Sequence, residues 1–191
     1  MRAELWLVRH GETEWSASGR HTSRTDLALT RAGRAAAQRL APDLAAQRFA
    51  LVLTSPLLRA RETAALAGFP DAVVDDDLHE WDYGELEGLT SDEIRGRGAD
   101  FAEWTIWTGS VPGGETGERV AARATRVLDR AGAAAGDVLC FGHGHALRVL
   151  TAFALGFASA AGAHFALDPA TINVVGWEHD ARALRVWNSK V

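Results

Sequence analysis

The sequence predicts an α/β protein, a three-layer α/β/α sandwich with a mostly parallel central sheet. Short apolar runs alternate along the chain with segments of helical periodicity, which is the pattern of that fold class. Several runs, such as Val138–Phe141, are uninterrupted, as is typical of parallel strands covered on both faces. A chain of 191 residues with 47% hydrophobic and 24% charged residues fits one globular domain over residues 1–191.

Six segments have the composition of β-strands. Each is rich in apolar residues, and the first two end in polar residues. The third of them has the weakest pattern. The predicted strands are Glu4–Arg9, Phe49–Thr54, Ala72–Leu78, Asp137–Phe141, Ile172–Trp177 and Leu184–Trp187.

The first helix is predicted after Thr30, whose hydroxyl suits a helix N-cap. Ala36, Leu40 and Leu44 then fall on one face, as an amphipathic helix requires. Pro42 lies within this pattern and is expected to kink or split the helix, because it lacks a backbone N–H.

Three more helices are predicted between the later strands. Ser55-Pro56 is expected to start one, since serine caps a helix and proline suits its first position. Another follows Gly113-Gly114, and its buried stripe contains apolar residues at helical spacing. The last runs from about His145 to Leu155.

Composition excludes several classes of protein. The net charge of −5 and the pI near 5.8 argue against nucleic acid or an anionic membrane as partner. The single Cys140 forms no internal disulfide or cysteine zinc site and is expected in the core. The N-terminal stretch contains Arg2, Glu4 and Arg9, unlike a signal peptide, and no apolar run is long enough to span a bilayer. We therefore expect a cytoplasmic protein.

Two histidines follow predicted strands directly, and each is followed by glycine. The first strand runs into His10-Gly11, and the fourth runs into His143-Gly144. Ligands of open α/β sheets bind beyond the carboxyl ends of the strands. Glycine also allows the backbone to approach a ligand closely. The two histidines are therefore candidates for one site.

Arginines at two strand ends indicate an anionic ligand. Arg9 ends the first strand, and Arg59 lies about one turn into the helix that Ser55 is expected to start, near a helix N-terminus that favours anions. Arg61 faces a different direction. Arginine donates in a fork that matches phosphoryl oxygens.

An acidic residue among aromatic side chains is a candidate proton donor. Glu80 follows the third predicted strand and precedes Trp81, and partial desolvation suits a general acid. From the spacing alone, Asp82, Glu85 and Glu87 are equal competitors for this role.

These groups fit hydrolysis of a phosphate monoester. An imidazole nitrogen of His10 would attack phosphorus, while Arg9, Arg59 and a protonated His143 offset the phosphoryl charge. An acid would protonate the leaving oxygen and later take a proton from water. Because arginine and histidine supply the charge, we expect no metal and no cofactor.

Four blocks of sequence, in order, resemble the histidine phosphatase superfamily, the branch that contains cofactor-dependent phosphoglycerate mutase. Their combination is far more specific than the tripeptide Arg-His-Gly alone. The resemblance implies the phosphoglycerate mutase-like fold. The blocks are Arg9–Trp15, followed by Gly19–Leu27 with Leu29, Thr30 and Gly33; Ser55–Ala60 with Glu62–Ala64; Glu80–Gly84 with Glu87-Gly88; and Gly142–Gly144.

The resemblance implies a role for each matching position. His10 would be the phosphorylated nucleophile, and Glu80 the acid. Arg9, Arg59 and His143 would form the phosphate pocket. Positions that would contact the rest of the substrate are Thr22, Ser23, Tyr83, Gly144, His145 and Arg148.

A finer resemblance is to the subgroup of sedoheptulose bisphosphatase and actinobacterial acid phosphatases. It is carried by Trp104–Gly109, Pro112–Thr116 and Gly142–Arg148. Within it, Trp104 and Trp107 could form an apolar wall for a sugar or pack in the core.

Departures from the mutases favour a phosphatase of small metabolites, such as sugar phosphates or phosphorylated acids. Ser16 and His145 stand where mutases usually carry asparagine, and the basic insertion between Glu80 and His143 is missing. Three alternatives stay open: a phosphoglycerate-type mutase, a metal enzyme with His10, His143, His145 and Glu80 as ligands, and a non-catalytic phospho-ligand binding module. The expected partner is a small phosphate ester, and no oligomeric state is predicted.

Overall fold

One six-stranded sheet forms the centre of residues 2–190, the part of the chain that the computed structural model describes. Its strand order is β3-β2-β4-β1-β5-β6. The first four are mutually parallel, whereas β5 and β6 run antiparallel to their neighbours. The predicted mostly parallel α/β fold is therefore confirmed. The strands are β1 (Leu5–Arg9), β2 (Leu51–Thr54), β3 (Val73–Val74), β4 (Val138–Gly142), β5 (Ile172–Glu178) and β6 (Ala181–Ser189).

Helices cover both faces of the sheet because successive strand residues point to opposite sides. Leu5 and Leu7 of β1 pack in one buried cluster with residues of two helices, α6 (Gly117–Ala133) and α7 (Gly144–Ala154). Val8 packs in the opposite cluster with Leu40 and Leu44. The helices are α1 (Glu14–Ala17), α2 (Arg31–Arg39), α3 (Ala41–Ala45), α4 (Leu58–Leu66), α5 (Ser91–Arg95), α6 (Gly117–Ala133) and α7 (Gly144–Ala154).

The predicted third strand, Ala72–Leu78, is wrong in most of its length. Only Val73 and Val74 form a strand, at an exposed edge of the sheet. The chain then enters a 3₁₀ turn over Asp76–Leu78, because the Asp75 carboxylate accepts a hydrogen bond from the N–H of Asp77. Glu80 therefore follows a turn rather than a strand.

The predicted helix start at Ser55-Pro56 is also wrong, by two residues. Helix α4 begins at Leu58, and its first N–H donates to the carboxylate of Asp26, 2.8 Å away, from a distant part of the chain. Ser55 forms a turn before the helix and accepts from the N–H of Leu57. A tertiary contact therefore replaces the local cap that the sequence suggested.

Thr30 caps α2 as predicted, and its hydroxyl accepts from the N–H of Gly33. Pro42 lies in the first turn of α3, so the predicted helix is split into α2 and α3. A side chain on Gly33 would place its Cβ 2.2 Å from the carbonyl oxygen of Glu12. Glycine thus lets α2 pack directly on the loop that follows β1.

Two further expectations concern the core and the surface. Cys140 is fully buried in β4, as predicted. Among the helices of residues 2–190, none is long and apolar enough to cross a bilayer.

Candidate active site

His10 and His143 meet at the carboxyl ends of two neighbouring strands. Strands β1 and β4 pair in register, with Arg9 opposite Gly142, and the N–H of His10 donates to the carbonyl of Gly142. The centroids of the two imidazole rings are 5.1 Å apart. The structure therefore brings the two histidines singled out from the sequence close together.

His10 is held as a neutral imidazole with a defined tautomer. Its Nδ1 lies 2.7 Å from the carbonyl oxygen of Gly11, which can only accept, so Nδ1 carries the proton and Nε2 carries the lone pair. Burial, followed by the charges of Arg59 and Arg9, holds the pKa of His10 well below its ordinary value. The ring therefore presents a nucleophilic nitrogen at neutral pH.

His143 has the complementary arrangement. Its Nε2 lies 2.7 Å from Oγ of Ser55. The Ser55 hydroxyl is fully buried, accepts from the N–H of Leu57 and has no other acceptor among residues 2–190, so we assign its proton to the bond with Nε2. The ring proton then belongs on Nδ1, which is buried and has no hydrogen-bond partner. Ser55, which we had interpreted only as a helix cap, thus orients this ring; its place directly after β2 was the available signal.

His143 was expected to be protonated, but its surroundings favour the neutral ring. Burial, followed by the charges of Arg59 and His10, holds the pKa of His143 well below its ordinary value. The neutral ring still offers the Nδ1–H donor. A phosphate dianion beside it would offset the arginine charges and favour protonation.

Arg9 and Arg59 bring two guanidinium groups to the histidines. Arg9 donates from Nη1 to the carbonyl of Leu167, and Arg59 is fully buried beneath the loop of residues 22–25. The Nε atom of each is buried without a partner. Buried donors without acceptors are rare in folded proteins, and here both belong to arginines whose charges act on His10.

Glu80 lies on the opposite side of this group. It is 5% exposed, and its carboxylate accepts from the N–H groups of Trp81, His145 and Ala146, two of which belong to the first turn of α7. A Cβ on Gly144 would lie 3.5 Å from Cζ of Arg9 and 3.7 Å from Oε2 of Glu80, so both groups face one point.

A cleft of about 170 Å³ is lined by Arg9, His10 and Glu80, whereas Arg59 and His143 are fully buried and are not among its lining residues. Three arginines line it, whereas Glu80 is the only acidic residue among its lining residues. Five of the six predicted substrate contacts also line it: Thr22, Tyr83, Gly144, His145 and Arg148. A cationic cleft of this size suits a small anionic ligand.

Ser23 is not brought to that cleft. It is buried, and its N–H and hydroxyl both donate to the carboxylate of Glu87. Glu87, one of the competing acids, is therefore engaged in holding the loop. Asp82 pairs with Arg24.

The two tryptophans occupy different places. Trp104 is buried in the core and donates from its indole to the carbonyl of Ser110. Trp107 packs behind the cleft, with its ring 5.2 Å from His145 and the guanidinium of Arg148 over it at 4.5 Å. Arg148 also donates to the carbonyls of Gly162 and Ala163, so it is fixed in place.

Neutral hydrogen-bonding groups also line the cleft. Burial raises the pKa of Tyr83 well above its ordinary value, so its hydroxyl stays protonated, and it shares a hydrogen bond with Nδ1 of His145, 2.6 Å away. Burial also lowers the pKa of His145, and lowers that of His21 to about 4. His21 stacks on Tyr83, with ring centroids 4.8 Å apart. His21 was not among the site residues predicted from the sequence.

The protonation states of these histidines are directly measurable. In ¹⁵N-edited NMR spectra we expect His10 and His143 to stay neutral with the proton on Nδ1, and His145 to stay neutral as well. Because all three pKa values are lowered, the neutral forms should persist from about pH 7 to about pH 5. His→Gln variants assign each signal. Titration of the His10 signal near its ordinary value of 6.5 would contradict this assignment.

Comparison with known proteins agrees with the fold and the cleft. The family model described as histidine phosphatase superfamily (branch 1) matches residues 5–190. A curated acid phosphatase from Mycobacterium tuberculosis is 40% identical over 187 residues, covering 95% of this chain and 90% of that protein. Sedoheptulose 1,7-bisphosphatase from Saccharomyces cerevisiae is 37% identical over 180 residues, covering 78% of this chain and 66% of that protein.

Mutases and solved structures are also among the similar proteins. A 2,3-bisphosphoglycerate-dependent phosphoglycerate mutase from Methylobacterium is 38% identical over 169 residues, covering 78% of this chain and 79% of that protein. The solved structure of open reading frame Rv3214 from Mycobacterium tuberculosis has a TM-score of 0.93 at 36% identity and covers 100% of this chain and 99% of that one.

The fold and the site together define an enzyme of phosphate esters. The family model spans nearly the whole described chain, so the protein belongs to the histidine phosphatase superfamily. The family resemblance and the predicted class, a phosphoric monoester hydrolase, are both confirmed.

Proposed function

We propose that this protein hydrolyses phosphate monoesters of small metabolites, without a metal ion, through a phosphohistidine intermediate on His10. The observation that carries the proposal is the state of His10. It is a neutral imidazole with its lone pair on Nε2, beside a cleft that Arg9 and Glu80 also line. The proposal includes a chemical role for each of these residues.

The first step transfers the phosphoryl group to His10. The Nε2 lone pair forms a bond to phosphorus while the bond from phosphorus to the ester oxygen breaks. The unpartnered Nε–H groups of Arg9 and Arg59 and the Nδ1–H of His143 bind phosphoryl oxygens. Glu80 enters the step protonated and gives its proton to the leaving oxygen, which departs as an alcohol.

The second step returns His10 to its resting state. The Glu80 carboxylate takes a proton from water, whose oxygen attacks phosphorus as the phosphorus–nitrogen bond breaks. Inorganic phosphate leaves, and Glu80 is protonated again for the next ester. No further reactant is needed.

The existing contacts of the candidate metal ligands support a metal-free reaction. The Glu80 oxygens accept three backbone N–H groups, Nε2 of His143 is bound to Ser55, and Nδ1 of His145 is bound to Tyr83. A metal ion would be left with the remaining ring nitrogens, and the positive charges of Arg59 and Arg9 near His10 disfavour a cation there. The guanidinium groups already supply positive charge for the phosphoryl oxygens.

The chemistry of the cleft favours a hydroxylated substrate. The cleft is also lined by the neutral side chains of His21, Tyr83 and His145, which can exchange hydrogen bonds with hydroxyl groups. The small volume favours sugar phosphates and phosphorylated acids over nucleotides or phosphoproteins.

A hydrolysis screen tests the proposal. Purified protein is incubated with a panel of sugar phosphates, phosphorylated acids, nucleotides and a phosphopeptide, with and without a chelator. We expect phosphate release from the small esters that the chelator leaves unchanged. An alkaline quench followed by peptide mass spectrometry should show phosphate on the peptide that contains His10.

The outcomes of this screen separate the alternatives. Chelator-sensitive activity that added metal restores would contradict the metal-free mechanism. No turnover on any ester would favour a binding module. The mutase alternative has support in the similar Methylobacterium protein. Rapid formation of 2-phosphoglycerate from 3-phosphoglycerate with a bisphosphate primer would favour it over hydrolysis.

A further inference from the structure

A buried ion pair lies behind Glu80, outside the cleft. Nε and Nη2 of Arg123, from α6, donate to the two oxygens of Glu115 at 2.9 and 2.8 Å. The side chain of Arg123 is 7% exposed and that of Glu115 is 14% exposed, so the pair is largely shielded from solvent. Burial alone raises the pKa of Glu115, but hydrogen bonds from His79 and Arg123 outweigh it and hold that pKa well below its ordinary value. The pair is therefore ionised at any working pH.

The other donors of Arg123 bind the backbone of the segment that contains Glu80. Nη1 donates to the carbonyls of Asp77 and His79 at 2.8 and 3.0 Å, and Nη2 lies 3.5 Å from the carbonyl of Glu80. One guanidinium thus contacts the backbone immediately before and at Glu80.

Glu115 binds the same segment on the other side of Glu80. Its carboxylate accepts from the N–H of Asp82 at 3.0 Å, and its carbonyl accepts from the indole of Trp81 at 3.0 Å. Its own N–H donates to the carbonyl of Asp82. Together the pair holds residues 77–82. Residues 79–82 of this segment lie between the 3₁₀ turns Asp76–Leu78 and Gly84–Leu86 and belong to no strand.

The position of Glu80 depends on this segment. A general acid must reach the leaving oxygen at hydrogen-bond distance, and shifts of less than 1 Å are costly. Buried ion pairs contribute little net stability compared with apolar residues of similar volume, so a role in positioning explains this one better than stabilisation does.

We propose that Glu115 and Arg123 are positioning residues that hold the Glu80 carboxyl group where it can protonate the leaving oxygen. The inference rests on the proposed function, in which Glu80 is the acid. It predicts a specific defect. Removing either partner should impair transfer from esters whose leaving oxygen needs a proton, and should spare esters whose leaving group departs as a stable anion.

The test compares kcat/KM for two esters in one set of variants. The first is the best alkyl phosphate from the screen, and the second is 2,4-dinitrophenyl phosphate, whose phenolate leaves without a proton. Since kcat/KM covers only the steps through departure of the first product, later hydrolysis of phosphohistidine does not affect the comparison.

Glu115→Gln keeps the volume of the side chain and removes its charge, and Arg123→Gln removes the guanidinium. For each we expect a loss of about 10- to 100-fold on the alkyl ester and less than about 3-fold on the dinitrophenyl ester. Arg126→Gln is the matched control, because Arg126 lies one turn further along α6 and pairs only with the Asp77 side chain at the surface. It should leave both values near wild type.

Glu80→Gln separates failure of this inference from failure of the proposed function. If Glu80→Gln shows the selective loss and the Glu115 and Arg123 variants do not, the positioning role is wrong. Equal losses on both esters in these variants would also overturn it, since they indicate general damage to the fold. If Glu80→Gln itself shows no selectivity, the assignment of Glu80 as the acid fails first. Should Arg123→Gln not fold, Glu115→Gln decides the matter alone.

Discussion

Replacing His10 by alanine is expected to lower kcat/KM for the best phosphate ester by at least about 10⁴-fold. The loss follows because no other group in the cleft can take the place of Nε2. His143 has its Nε2 bound to Ser55 and presents a protonated Nδ1, and Tyr83 is held protonated. The expected loss corresponds to at least about 5 kcal/mol of transition-state stabilisation.

His21→Ala is the matched control for this prediction. His21 lines the same cleft and is also neutral, but it makes no bond to the phosphoryl group in the proposed mechanism. We expect its removal to raise KM by up to about 10-fold with little change in kcat, as for loss of uniform binding. If His10→Ala kept more than about one-hundredth of wild-type kcat/KM, the nucleophile would have to be reassigned.

The parts of the fold that were predictable are those whose pattern is local. Strands β1 and β4 are apolar on both faces, and their sequences indicate central strands. Ala72–Leu78 has a similar composition, but its aspartates bond their own backbone and end the strand after Val74. The start of α4 was misplaced because its first N–H is bound by Asp26, a contact between distant residues that local pattern does not reveal.

The predictions for the site divide in the same way, into features that local sequence indicates and features that depend on contacts formed in the fold. His10 and His143 were predictable, because each directly follows a strand and the two strands are neighbours. The tautomers of these rings were not, since they depend on the carbonyl of Gly11 and on the hydroxyl of Ser55. Sequence also placed Ser23 with the substrate contacts, whereas its polar atoms are bound by Glu87.

Arg59 has two tasks in this structure, and only one of them was apparent from sequence. The expected task is to bind phosphate, for which its unpartnered Nε–H is free. The second is structural. Nη1 donates to the carbonyl of Thr25, and Nη2 donates to those of Thr22 and Ser23, so the guanidinium ties α4 to the loop that forms part of the cleft wall.

Arg59→Met is therefore expected to reduce both stability and activity. Three carbonyls lose their donor, which should lower the free energy of unfolding by about 3 kcal/mol, and kcat/KM should fall by at least about 10³-fold. Arg59→Lys keeps the charge but not the fork, and we expect it to recover little of either loss.

Urea unfolding and thermal melts with and without inorganic phosphate measure the two tasks separately. A ligand that binds only the folded protein raises its melting temperature, so phosphate should stabilise wild type and fail to stabilise Arg59→Met. The matched control is Arg61→Met, because Arg61 lies on the exposed face of the same helix. It should match wild type in stability, activity and response to phosphate. A response of Arg59→Met to phosphate equal to that of wild type would remove Arg59 from the anion site and leave it only the structural task.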